Sequence, residues 1–219
     1  FSHIIGQIDD DNNGISGLEK SFNEILRKSK KDIKLTVDKD VQFLIRKELI
    51  KYQEIFKSKG SAAILMNINN GHILSLISLP DFNPNERQNL TNINFINRVT
   101  KGTYELGSVF KPFTFASALN ENLIKPETKF LDLPKSIRCD KHRIGEYDNE
   151  IPTNLTAEQI LIRSGNIGSV RIGQKIGSNK HKFFLEKIGV LSQINFDIDE
   201  VAPQKNYNFG KCKLATASF

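Results

Sequence analysis

Apolar residues recur along the chain with two different periods, and each period predicts a different element. After Asp38, apolar positions return at steps of three and four, which is the spacing of one face of a helix. Asp38 can cap this helix, because its carboxylate can accept from the first free amides, and Gly60 is expected to end it. The predicted apolar face consists of Val41, Leu44, Ile45, Leu49, Tyr52 and Phe56.

The next stretch, Gly60 to Pro80, contains no charged residue and is long enough to cross a bilayer, which takes about 20 residues. Three asparagines lie in its middle, where polar amides are costly in hydrocarbon. Asn70-Gly71 between two β-rich runs is a strong hairpin signal. The sequence therefore predicts an antiparallel hairpin of Ser61–Met66 and Ile73–Leu79 instead of a membrane span.

Further helices are predicted near the start of the chain and throughout its second half. A helix beginning near Ser108 is apolar on every side, which predicts burial, and its Pro112 is tolerable in the first turn. Thr156 to Gln159 fits a capping box, whereas residues 121–152 look irregular. A hairpin followed by helices favours an α+β fold. The predicted helical ranges are 17–26, 108–120, 157–163, 167–176 and 178–189, the last with Ser178 as its cap.

Composition narrows the class of protein without deciding its function. The chain has 219 residues, 38% hydrophobic and 26% charged. These values are typical of a globular protein, exclude a collagen-like, coiled-coil or low-complexity chain, and argue against wholesale disorder. The net charge of +6 would allow a nucleic acid or an acidic polymer as partner, but it comes from scattered lysines, so charge alone decides nothing. From the sequence as a whole, we expect no nucleic-acid partner. Cys139 and Cys212 form no metal-binding spacing with the four histidines, and whether they pair stays open. No cofactor or metal is expected.

The strongest chemical motif is Ser108-Val109-Phe110-Lys111, a Ser-x-x-Lys. On a helix, positions i and i+3 share a face, so the amine of Lys111 can reach the hydroxyl of Ser108. A serine at a helix N-terminus also lies beside free amides that favour an oxyanion. These are the requirements of an acyl-transfer nucleophile with a desolvated lysine as its base. Alone the motif is weak, because its residues are common enough for about two chance matches.

A second motif, Ser164-Gly165-Asn166, follows in a predicted turn between two helices, where side chains can project into a cleft. Ser-x-Asn is weak by itself, and Ser21-Phe22-Asn23 shows how readily it arises. The conjunction is more specific: Ser-x-x-Lys followed some fifty residues later by Ser-x-Asn matches the penicillin-interacting serine enzymes, whose third motif is a later Lys-Thr-Gly.

Four more segments strengthen this match, and together they cover essentially the whole chain. The nucleophile segment and the strand upstream of it resemble those of class B penicillin-binding proteins, as do the start of the transpeptidase domain and the end of the pedestal domain that precedes it. The likeness is greatest to the septal, cell-division type, with the elongation type second. The segments are Asn97-Arg98 with Thr103 to Pro112, Gly71 to Asn85, Leu35 to Gln42, and Gly14 to Glu19.

The resemblance implies a penicillin-binding-protein/β-lactamase-like transpeptidase domain, in which an antiparallel sheet is flanked by helices. Residues 1–32 are then the end of the pedestal, and 33–219 the transpeptidase domain. Ser108 is the expected nucleophile, Lys111 its base and Ser164 a proton relay. Asn166 and Gly107 are expected to bind substrate, and the Ser108 amide to provide one oxyanion donor.

The resemblance also implies a membrane-anchored periplasmic enzyme of the bacterial inner membrane. Such an enzyme cross-links peptidoglycan stem peptides ending in D-Ala-D-Ala, is acylated by β-lactams, and works with a division or elongation glycosyltransferase. The chain has no Lys-Thr-Gly and begins without methionine. We therefore expect a fragment that lacks the anchor and the third motif and is inactive alone. The second motif carries Gly165 where serine is frequent.

Three alternatives remain open. A serine β-lactamase shares both motifs and needs a deacylating base, for which Glu200 is the candidate. A non-catalytic β-lactam sensor shares the acylating serine, although the pedestal-like start argues against it. A basic binding module would have no catalysis.

Overall fold

The chain divides into two compact units in a computed structural model that describes residues 1–29, 32–86, 93–198 and 210–219. One unit is Phe1–Tyr104 with Ile194–Pro203, and the other is Glu105–Gln193 with Gln204–Phe219. The predicted domain boundary after residue 32 adjoins residues 30 and 31, which lie outside the described residues. That boundary stays a prediction.

The first unit contains the predicted hairpin. Strands β1 and β2 pair antiparallel, with Ser61 opposite Leu79, and the Asn67 N–H donates to the His72 carbonyl to close the loop. Gly71 has a φ of +75°, which glycine adopts without steric cost. The hairpin prediction is therefore confirmed. The elements of this unit are α1 (Ser2–Ile5), α2 (Gly17–Ser21), α3 (Asn23–Lys28), α4 (Lys39–Phe56), β1 (Ser61–Met66), β2 (Ile73–Leu79) and a 3₁₀ turn (Ile93–Phe95).

Helix α4 begins where the sequence predicts, because the Asp38 carboxylate accepts from the amides of Asp40 and Val41. It ends at Phe56, with Lys57 in the left-handed conformation, so Gly60 is not its terminator. The predicted face is only half right: Leu44 is 59% exposed and Phe56 73% exposed. The apolar residues of α4 are spread around most of the helix, so the pattern does not single out one buried face. A polar residue, Gln42, makes the hydrogen bonds to β2 and is not part of that pattern.

The Gln42 side chain is buried against the middle of β2. Its Nε2 donates to the Leu76 carbonyl at 2.7 Å, and its Oε1 accepts from the Leu76 amide at 2.9 Å. The Ser75 hydroxyl donates to the same oxygen at 2.7 Å. Gln42 therefore satisfies the backbone of β2 as a neighbouring strand would.

Replacement of Gln42 by alanine is expected to destabilise the first unit by at least about 2 kcal/mol, since it leaves the buried Leu76 amide and Ser75 hydroxyl without their acceptor. Urea unfolding followed by circular dichroism measures the change. Lys47→Ala, at an exposed position of the same helix, is the control and should change the free energy of unfolding by less than about 0.5 kcal/mol. Equal effects of the two substitutions would contradict the role of Gln42.

The second unit is mainly helical and is built around α7, which packs against α5, α6, α8 and α9. Ile167, Val170 and Ile172 of α7 have no exposed surface. Its elements are α5 (Lys111–Asn120), β3 (Lys129–Phe130), β4 (Ser136–Cys139), β5 (His142–Gly145), β6 (Leu155–Thr156), α6 (Ala157–Ile162), α7 (Asn166–Ile176), α8 (Ser178–Lys187) and α9 (Lys211–Thr216).

Local end signals locate α6 and α7 well. Thr156 and Gln159 form the predicted capping box, and Gly177, at a φ of +81°, follows the last residue of α7. Other expectations for this unit are wrong. The region expected to be irregular contains the β4–β5 hairpin and strand β3, which pairs with β6. Ser178 starts α8 without a side-chain cap, and α5 leaves Leu119 46% exposed instead of being buried on every side.

A disulfide joins the β4–β5 hairpin to α9. The Cys139 and Cys212 sulfurs are 2.10 Å apart, and their Cα atoms are separated by 5.3 Å. The pairing that the sequence leaves open is therefore formed. Over the described ranges, none of the helices combines the length and the apolar composition that crossing a bilayer requires.

Candidate active site

Ser108 lies in a 3₁₀ turn, Gly107–Phe110, that leads directly into α5. The α-helix itself begins only at Lys111, which corrects the expected start near Ser108. In a 3₁₀ turn the side chains at i and i+3 are eclipsed, and the Lys111 Nζ lies 3.0 Å from the Ser108 Oγ. Ser108 is exposed, whereas Lys111 is only 1% exposed. The pair therefore presents a hydroxyl to solvent and hides its amine.

Ser164 occupies the turn between α6 and α7 in a conformation usually reserved for glycine. Its φ is +55°. The Gly165 amide donates to the Ile160 carbonyl and the Ser164 amide to the Leu161 carbonyl, which is the Schellman arrangement at a helix end. A residue other than glycine at this position costs roughly 1 kcal/mol.

The side chains of both motifs meet at Lys111. Its Nζ lies 2.9 Å from the Ser164 Oγ and 2.7 Å from the Asn166 Oδ1, and it also contacts the Ser164 carbonyl. Since the Ser108 and Ser164 hydroxyls each lie about 3 Å from one nitrogen, they are no more than about 6 Å apart. The predicted convergence on Ser108 is confirmed, although the two hydroxyls meet through Lys111.

Four oxygens surround the Lys111 Nζ. The Ser164 carbonyl and the Asn166 Oδ1 can only accept, so they take the two N–H groups of an uncharged amine. In an uncharged amine one lone pair then remains, and it can accept from a single hydroxyl, that of Ser108 or that of Ser164. Burial lowers the pKa of Lys111 from its ordinary value near 10.5, and the carboxylate of Glu146 partly opposes that shift. Lys111 is thus arranged to take a proton from a hydroxyl.

A pocket of about 630 Å³ opens over this cluster. Its wall includes four of the five predicted site residues, because Lys111 lies behind the hydroxyls. Three charged side chains and three aromatic or aliphatic ones line the remainder, so the pocket can hold a ligand with both polar and apolar groups against Ser108. The lining residues are Gly107, Ser108, Tyr147, Asp148, Glu150, Ile151, Arg163, Ser164, Asn166 and Phe219.

The structure thus brings together all five predicted site residues, whose catalytic and binding roles remain predictions. Sequence reasoning missed Glu146, which lies in the region expected to be irregular and shows no motif of its own. Glu200, the base that a β-lactamase would need, lies outside the described residues. Among the side chains that the structure describes, no three of His, Cys, Asp or Glu are grouped to hold a metal ion.

The family assignment comes from comparison with known proteins. The profile of the penicillin binding protein transpeptidase domain matches residues 61–218. The chain belongs to this family. Its sequence is 26% identical over 223 residues to the probable peptidoglycan D,D-transpeptidase FtsI of Caulobacter vibrioides, across all of this chain and 38% of the relative. It is 33% identical over 202 residues to FtsI of Buchnera aphidicola (subsp. Baizongia pistaciae), across 80% of this chain and 34% of that protein.

Solved structures show the same fold. Penicillin binding protein 3 of Mycobacterium tuberculosis, in complex with aztreonam, superposes with a TM-score of 0.80 at 20% identity, over 99% of this chain and 52% of that one. The α+β transpeptidase-domain fold predicted from the sequence is therefore confirmed. This family member spans little more than a third of the length of the two curated relatives.

Proposed function

We propose that this chain is the nucleophile-bearing part of a peptidoglycan D,D-transpeptidase that works through an acyl-serine. The observation that carries the proposal is the contact of one buried amine with the Ser108 hydroxyl, the Ser164 hydroxyl and the Asn166 amide oxygen. That arrangement supplies a nucleophile, a base and a second hydroxyl within hydrogen-bond range. The enzyme names of the FtsI relatives support the same reaction class.

In the proposed reaction, the neutral amine of Lys111 takes the proton of Ser108 as Oγ attacks the carbonyl between the two terminal D-alanines of a donor stem peptide. The tetrahedral oxyanion is stabilised by the amide of Ser108. The C–N bond then breaks, and the leaving D-alanine amine receives a proton through Ser164. An amino group of a second stem peptide then attacks the resulting ester and forms the cross-link. Its proton passes through Lys111 to the Ser108 oxygen as the C–O bond breaks, which restores the hydroxyl.

Asn166 and Gly107 are the proposed substrate-binding residues. The Asn166 side chain donates to the Gly145 carbonyl and accepts from Lys111. It retains one N–H and one lone pair for a peptide amide. Gly107 lines the pocket beside Ser108 with its φ at +55°, and a Cβ there would meet no other atom within 4 Å. Gly107 therefore leaves open space next to the nucleophile.

The proposal extends to the setting of the reaction. We place the chain in a class B protein of the septal type, because its motifs resemble that type most; the elongation type is the second candidate. The FtsI relatives are longer than this chain, which supports a longer protein. Residues 1–32 are the proposed end of a pedestal domain, and residues 33–219 are part of the transpeptidase domain. The proposed location is the periplasmic face of the inner membrane. There the full-length protein would be held by a membrane anchor and would work with a division or elongation glycosyltransferase.

A transpeptidation assay on the full-length gene product separates the enzyme from its rivals. A synthetic donor ending in D-Ala-D-Ala, mixed with an acceptor amine, is expected to yield free D-alanine and a cross-linked product, and a β-lactam should block both. Mass spectrometry measures the products and the adduct. A β-lactam sensor would form the penicillin adduct without releasing D-alanine, and a β-lactamase would hydrolyse penicillin over many turnovers. Absence of any covalent adduct would contradict the acyl-serine proposal.

A further inference from the structure

Glu146 connects the β4–β5 hairpin to the turn that carries Ser164 and Asn166. It directly follows Gly145, the last residue of β5, and its side chain is half-buried. One carboxylate oxygen accepts from the Asn166 amide at 2.6 Å, and the other accepts from the Ile167 amide at 2.9 Å. Both amides belong to the first turn of α7, an eleven-residue helix. Glu146 therefore binds the helix start with both oxygens.

This contact replaces a cap that α7 does not have in its own sequence. The N-cap residue is Gly165, which has no side chain with which to satisfy the first amides. A helix start leaves several N–H groups without intrahelical partners, and a negative charge is favourable there. Glu146 supplies both the acceptors and the charge from a position twenty residues earlier in the chain.

The same hairpin also orients the Asn166 side chain. The Gly145 carbonyl accepts from the Asn166 Nδ2 at 2.9 Å, which turns the amide oxygen towards Lys111 at 2.7 Å. Two consecutive residues of the hairpin end thus fix both the backbone and the side chain of Asn166. Lys111 in turn contacts the neighbouring Ser164 through its hydroxyl and its carbonyl.

We propose that Glu146 is a positioning residue for the acylation step, holding the Ser164–Asn166 turn in the orientation in which both side chains reach Lys111. The inference rests on the proposed acyl-serine function. Glu146 touches neither Ser108 nor the reacting carbonyl, so it acts through the turn. Its negative charge has a second effect, because it stabilises the protonated form of Lys111.

The electrostatic effect of Glu146 is specific among the described residues. Burial lowers the pKa of Lys111, and the charge that acts on this pKa in the opposite direction is that of Glu146. Other charged or titratable side chains lie on elements packed against α5 or line the pocket, and none of them is among the causes of this shift. They are Tyr147, Asp148, Glu150, Glu158, Arg163, Arg171, Lys175, Lys180, His181, Lys182, Glu186 and Lys187.

The test compares Glu146→Ala and Glu146→Gln in the full-length gene product, with Glu127→Gln as the matched control at an exposed loop position. The rate of acylation by a fluorescent penicillin is measured across pH. Alanine is expected to lower the rate about tenfold to a hundredfold, since two charge-assisted hydrogen bonds are lost. Glutamine retains one acceptor and should recover part of that rate.

The pH profile separates positioning from a merely structural role. Glutamine removes the negative charge, so the pKa of Lys111 falls further and the neutral amine persists to lower pH. The acid limb of the acylation profile should therefore move to lower pH in Glu146→Gln and stay in place in Glu127→Gln. An unchanged limb together with a wild-type rate in both Glu146 variants would overturn the proposal.

Hydrogen exchange provides a readout that does not depend on acylation. A peptide spanning residues 164–170 is expected to exchange faster in Glu146→Ala than in the wild type or in Glu127→Gln, because the Asn166 and Ile167 amides lose their acceptor. Unchanged exchange would overturn the positioning role. A wild-type protein that takes up no penicillin would refute the proposed function instead, and the exchange result would still decide the role of Glu146.

Discussion

Alanine in place of Ser108 is expected to abolish covalent labelling of the full-length gene product by a fluorescent penicillin. The Ser108 Oγ is the exposed hydroxyl of the cluster and the one beside the pocket wall formed by Gly107. Without it no acyl bond can form, so the loss should exceed about 10⁴-fold. In-gel fluorescence after denaturation measures the covalent adduct and excludes reversible binding.

Ser192→Ala is the matched control, because Ser192 is exposed and lies in the same unit. It is expected to label like the wild type. If the Ser108→Ala protein still took up penicillin covalently, the assignment of the nucleophile would be wrong. The roles proposed for Lys111, Ser164 and Asn166 would then fall with it, since each is defined by its distance from that hydroxyl or its base.

Loss of the Lys111 amine is expected to lower the acylation rate by about 10² to 10⁴, the range that a positioned general base contributes. Lys111→Met keeps most of the side-chain volume in this buried site, whereas Lys111→Ala also leaves a cavity. Both variants should therefore lose the base. The midpoint of thermal unfolding, measured for each variant, shows whether α5 is also destabilised. A folded Lys111→Met protein with more than a tenth of the wild-type rate would contradict the role.

The wild-type pH profile follows from the same amine. Only neutral Lys111 can accept the Ser108 proton, so the acylation rate should rise with pH until it passes the pKa of Lys111. Because burial lowers that pKa from its ordinary value near 10.5, the midpoint of the rise should lie below pH 10.5. Acylation rates measured by stopped flow across pH test this directly. A rate that falls as pH rises through this range would mean that the protonated lysine is the active form.

Elements with strong local signals could be predicted from the sequence. Helix starts are marked by Asp38 and by the Thr156–Gln159 capping box, because these side chains accept from the first backbone amides of their helices. Gly177 marks the end of α7, because it adopts a positive φ that ends the helix. The Ser108–Lys111 contact is equally local, because a spacing of three residues places two side chains on one face in both an α-helix and a 3₁₀ turn. In each case the partners lie within a few residues, so the pattern alone contains the information.

What the sequence did not reveal depends on partners that are far apart in the chain. Gln42 is buried because β2, more than thirty residues later, needs its amide. Glu146 and Asn166 meet across twenty residues and an intervening helix. Ser164 adopts a left-handed conformation that apolar periodicity cannot predict. Polar contacts of this kind have no repeating pattern, and a single sequence gives no measure of which carboxylate or amide will make them.

The Cys139–Cys212 bond has a topological consequence for the site. It closes a covalent ring across a sequence separation of 73 residues. Glu146, Ser164 and Asn166 lie inside this ring, whereas Ser108 and Lys111 lie outside it. Closing a loop of this length removes unfolded-state entropy worth about 4 kcal/mol. In an oxidising compartment, the disulfide therefore restricts the unfolded conformations of the segment that carries Glu146, Ser164 and Asn166. The segment that carries Ser108 and Lys111 is not restricted in this way, and it joins the site by packing during folding.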